Sequence, residues 1–154
     1  MGKKREFIYL YLIQFVIGLI WLKSAYAKFA GVAFSANLSK TLTLFASKNP
    51  FPWYAAFLQN WAIPNAGLFA ELTRWGELVA AVLLLVTAVS AMRNIRLPHF
   101  HRLATLGALI GAFLNLQFGL AAGWTSPSTE TLNLLMLLIQ ILFIFYQRSV
   151  AMKK

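Results

Sequence analysis

Glu71, Arg74 and Glu77 recur three residues apart in "ELTRWGELVAAVLLL", a spacing that sets each beside the next on a helix. A carboxylate next to a guanidinium can hold an ion pair, and with a tuned pKa it can move a proton or orient a bound head group. Acidic residues are scarce here, with 4 in 154 positions, and two of them stand where the sequence runs without a break into apolar residues. Glu77 lies about 9 Å further along a helix than Glu71, too deep for a short side chain to regain water. Other polar residues collect at the same level: Lys23 and Lys28 at the end of the first apolar stretch, Asn115 and Gln117 in the third, Glu130 and Asn133 at the start of the fourth. Lys23, Lys28 and Arg74 balance Glu71, Glu77 and Glu130. An unpaired charge in hydrocarbon costs about 2.5–3.5 kcal/mol on insertion scales, so these groups are expected to face one another inside a bundle.

This pattern makes Glu77 the candidate catalytic residue, paired with Lys28 or Arg74. Glu71, Asn115 and Asn133 are the candidate binding residues around it. Two plainer readings stand beside this one: Glu77 locks helices together through an ion pair, and the lysines extend their stems to the interface. Trp53, Tyr54 and Trp61 crowd a proline-bounded segment, "NPFPWYAAFLQNWAIPNAG". They suit either an aromatic belt at head-group level or a lid over a ligand. His99 and His101 fall in a short basic link, as exposed loop histidines or a weak metal site. The chain has no cysteine, and no metal-ligand cluster, nucleotide loop or nucleophile elbow is present, so no metal is expected.

The elements that must position these residues are four long apolar runs, each close to the roughly 20 residues that cross a hydrocarbon core. Hydrophobic residues make up 60% of the chain and charged residues 12%, against about 45–50% and 25% in soluble domains. The fold expected is all-α: a four-transmembrane-helix bundle forming a single membrane domain over 1–154. Its spans are expected at about 7–29, 69–92, 103–122 and 131–147, with an outer loop at 30–68 and a link at 93–102. The net charge of +10 would suggest nucleic acid in a soluble protein. Here it sits in Lys3, Lys4 and Arg5, in Arg93, Arg96 and Arg102 of the link, and in Arg148, Lys153 and Lys154. By the positive-inside rule both termini and the link are cytoplasmic, in the cell's inner (plasma) membrane, and nucleic acid is not an expected partner. Ala25-Tyr26-Ala27 resembles a signal-peptide cleavage triplet, but the preceding apolar run is long for one, so a retained anchor is expected.

In the outer loop, Phe34, Leu38, Leu42 and Phe45 form an apolar helical stripe, which predicts a short interfacial helix. In the third span, Gly107, Gly111, Asn115, Gly119 and Gly123 recur four apart, a row that lets helix backbones approach closely in lipid.

"WLKSAYAKF" at the end of the first span, a long aromatic loop, "WGELVAAVLLLVTAVSAMRN" and an asparagine within the third span together resemble the DoxX family of small four-helix membrane proteins. The match rests on Lys28 with Phe29 and Gly76 with Glu77 and covers nearly the whole chain, while Ala25, Ala81 and Val86 stand where glycines are expected. That family is related to the large subunit of thiosulfate:quinone oxidoreductase. The resemblance implies a subunit that handles a quinone or small anion in a membrane redox system, with quinone as the candidate cofactor and a membrane or periplasmic-side protein, or a second copy, as partner. The alternative is a non-catalytic accessory subunit of a larger membrane complex.

Overall fold

The computed structural model describes residues 2–31 and 33–151, with side chains from Ile8 onward. The side chains of Lys3, Lys4 and Arg5, and all of Lys153 and Lys154, lie outside the described residues. Among the described residues six α-helices follow one another: α1 (Gly2–Ala30), α2 (Ala33–Ser47), α3 (Pro52–Phe57), α4 (Ala66–Met92), α5 (Phe100–Ala122) and α6 (Pro127–Ala151). No strand occurs among the described residues. Four of the helices, α1, α4, α5 and α6, are long and apolar enough to cross a membrane.

Local chemistry sets the boundaries. Pro52 and Pro127 each open a helix, a position where a missing N–H does no harm. Ser126 accepts from the Thr129 backbone N–H at 3.1 Å, capping α6 in the usual way. These signals carry α6 beyond the 131–147 expected from hydropathy alone, and α4 likewise starts at Ala66 rather than 69. Between α3 and α4 the chain makes one π-helical turn, Leu58–Ala62, before Pro64 prevents further helix.

Helix α1 packs along α4, and α5 packs against both α4 and α6. The seams are lined by small residues: Ala80, Ala81, Ala88, Ala104 and Ala108 are all fully buried. Larger residues, Tyr11, Trp21, Leu84 and Phe143, fill the spaces between them. Such close backbone approach is how helices associate in lipid, where dispersion rather than water exclusion drives packing. The opposite faces, with Val79, Val82, Val86, Phe113, Leu138 and Phe145, are exposed and apolar, as a lipid-facing surface must be.

The 30–68 loop is mostly helical. The stripe predicted on α2 turns inward: Leu42 is buried, and Phe34, Leu38 and Phe45 are half-buried. Leu42 and Ala46 join Tyr54, Leu58, Ala62, Ala66 and Ala121 in a second apolar cluster, which folds α2 and α3 over one end of α4 and α5. Asn49 fastens the connection, donating to the Leu120 carbonyl at 2.9 Å and accepting from the Phe51 N–H at 3.0 Å.

Candidate functional site

The Lys28 ammonium touches both Glu77 carboxylate oxygens, at 2.8 and 2.9 Å, and donates to Ser24 Oγ at 2.8 Å. Helix periodicity sets Ser24 one turn before Lys28 on the same face, and α1 lies along α4 so that this face meets Glu77. The Glu77 side chain is wholly buried and that of Lys28 is 20% exposed. Two rings flank the ammonium, Phe34 from α2 at 5.5 Å and Phe118 from α5 at 5.8 Å. The α2 segment thus shields the pair from above. An ammonium has three N–H donors: one goes to Ser24 and another is shared by the two Glu77 oxygens, which lie too close together to take two diverging N–H bonds.

Of the cations expected around Glu77, only Lys28 reaches it. Arg74 instead pairs with Glu71, through Nε to Oε2 at 2.8 Å and a second nitrogen to Oε1 at 2.5 Å, and lies 5.0 Å over the Phe29 ring. This second pair is partly exposed and of the i,i+3 type, worth a few tenths of a kcal/mol. Lys23 is exposed. Asn115 donates to Gln140 Oε1 at 2.8 Å, while Asn133 bonds back to the Thr129 carbonyl of its own helix at 2.8 Å. The polar residues that share a depth in the sequence therefore divide among separate partners. Periodicity gives their level but not their azimuth.

The aromatic segment divides too. Tyr54 is 4% exposed and its hydroxyl meets Gln117 Oε1 at 3.0 Å; burial pushes this phenol up to about 12, so it stays a neutral donor throughout the physiological range. Trp53 and Trp61 are 62% and 67% exposed. Phe34 and Phe118 occupy the covering role expected of the tryptophans.

Two polar clusters were not anticipated. Gln14 donates to Thr87 Oγ1 at 2.6 Å and to the Leu84 carbonyl at 2.9 Å, a second tie between α1 and α4. His101, expected in an exposed link, lies in the first turn of α5; its Nδ1 meets Gln147 Oε1 at 2.8 Å, and Gln147 Nε2 reaches the Tyr11 hydroxyl at 3.3 Å. His99 is exposed. The signal for these clusters was a row of amides at Gln14, Gln140 and Gln147 in otherwise apolar helices, where each amide needs a partner.

One cavity, of about 10 Å³, lies between Gln14, Leu84, Ala108 and Gln140; another, of about 620 Å³, lies at the α4–α5 link. Neither is lined by Lys28 or Glu77. Among the described residues no three or more His, Asp or Glu gather as metal ligands. Compared with known proteins, the chain matches no family model, no curated sequence and no solved structure.

Proposed function

We propose that this chain is a non-catalytic accessory subunit of a larger membrane assembly, with the Lys28–Glu77 pair as a buried clamp between α1 and α4. The observation that carries this reading is the burial of the pair between two helices: Glu77 is wholly buried and both its carboxylate oxygens meet the Lys28 ammonium. A quinone carbonyl or an anion could reach only the Lys28 ammonium of this pair, since Glu77 is wholly buried. Quinone or small-anion handling, which the DoxX resemblance implies, is favoured by one feature alone: the 20% exposure of Lys28 gives an anion a side from which to compete with Glu77. Purification of the intact protein in mild detergent separates the two. Retention of a membrane protein partner at fixed stoichiometry supports the accessory role, and a stoichiometric bound quinone without a partner overturns it.

In the same reading both termini face the cytoplasm of the cell's inner membrane, as the placement of the arginines implies. A single cysteine at Ser126 in this cysteine-free chain should be labelled by an impermeant thiol reagent added outside intact cells, and one at Asn94 should not. The reverse pattern would invert the orientation.

A further inference from the structure

We infer that the α4–α5 link forms a receptor for the phosphodiester head of an anionic phospholipid, an inference independent of the accessory role. The link leaves α4 through two reciprocal bonds between Ser90 and Ile95, the Ile95 N–H to the Ser90 carbonyl and Ser90 Oγ to the Ile95 carbonyl, both 2.9 Å. It enters α5 at His99, whose φ of 54° lies in the left-handed region, as His tolerates better than most residues. Between these points Arg96, His99, His101 and Arg102, beside Leu97 and Phe100, line an open cavity of about 620 Å³ that Ala151 of α6 also borders. His101 spends its Nδ1 on the buried Gln147, which fixes the ring and, among the described residues, leaves Nε2 uncommitted. Among the described residues no carboxylate pairs with Arg96 or Arg102, whereas Lys28 and Arg74 at the other end of the bundle each have one.

Guanidinium groups match phosphate oxygens in a fixed, bidentate geometry, and the apolar members suit the glycerol ester and first methylenes that a free phosphate lacks. The link joins two membrane-length helices, which places the cup where phospholipid head groups lie. Basic pockets of this kind between membrane helices take anionic head groups.

Native mass spectrometry of the full chain released from detergent, titrated with phosphatidylglycerol or phosphatidylcholine, tests the assignment. Phosphatidylglycerol is expected to be retained over phosphatidylcholine, and Arg96→Gln with Arg102→Gln should weaken its binding about thirtyfold, as about 1 kcal/mol per arginine implies. Arg93→Gln with Arg148→Gln removes the same charge from exposed positions outside the cup and should leave binding near the original. Equal weakening by the two pairs would reduce the effect to diffuse charge and overturn the cup. Equal retention of both lipids, or displacement of phosphatidylglycerol by inorganic phosphate, would also overturn it.

Discussion

Lys28→Met is expected to destabilise this protein more than Glu77→Gln, and the two changes together less than either alone. The asymmetry follows from access. Lys28 has a long stem and 20% of its side chain exposed, so when Glu77 loses its charge the ammonium still has Ser24 and a route to the interface. Glu77 has neither exposure nor another cation within reach, so removing Lys28 strands a carboxyl group where water does not come. Breaking one side of a buried pair costs about 3–5 kcal/mol in soluble interiors. Lys28→Met should approach that range and Glu77→Gln should fall below it. The double variant removes both charges and should recover most of the loss, because buried pairs replaced by uncharged groups of similar size are often near neutral. Thermal unfolding in detergent and activity of any associated complex should then recover together if the pair is a clamp. Stability that returns without activity would show that Glu77 handles protons or a ligand. Wild-type behaviour of Glu77→Gln and Lys28→Met alike would remove the pair from any account of the fold.

The second large effect is expected at Gly111. A Cβ built there would run into the Gln140 side-chain amide and lie 3.0 Å from the Trp21 indole nitrogen. Leucine at this position must push Gln140 off Asn115, adding a strained contact of about 1–3 kcal/mol to an unpaired buried amide costing about 1–3 kcal/mol more. Gly119, two turns along the same row, offers the contrast: its Cβ would meet only Asn133 Cβ at 3.8 Å, an ordinary contact. Gly119→Ala should therefore be neutral or stabilising, since alanine is favoured over glycine in a helix by about 1 kcal/mol. Thermal unfolding of the two variants decides the matter. Equal losses at both positions would mean that the row acts as a whole and that contact with Gln140 is not special.

That contrast shows what the sequence discloses. The four-apart glycines predicted close packing, but only Gly107 and Gly111 meet it, against Leu83 and Gln140. Gly119 and Gly123 face ordinary contacts, because spacing specifies a stripe and not what lies opposite. The spans themselves were legible, since hydropathy over some twenty residues depends on no partner. Helix ends needed the cap at Ser126 and the prolines, which hydropathy ignores. At the candidate site, the Lys28–Glu77 pair could be named as one of two options because charges at one depth in lipid seek each other. The choice between Lys28 and Arg74 turned on azimuth, and Arg74 was already claimed by Glu71 within its own helix. Asn115 and Asn133 find their partners in Gln140 and Thr129 for the same reason. The His101–Gln147–Tyr11 cluster was harder to foresee, as its members lie far apart in the chain and each looks unremarkable alone.

The distance along the chain between the clamp's two halves has a consequence for how the protein is made. Lys28 and Glu77 are 49 positions apart, and at about 5–20 residues per second of synthesis the first helix waits several seconds for its counter-ion. Gln14 waits longer, with Thr87 73 positions downstream. During that interval α1 sits with an unmatched ammonium near one end and an unmatched amide near its middle. Its lodging in the bilayer is provisional until the next membrane-length helix arrives beside it.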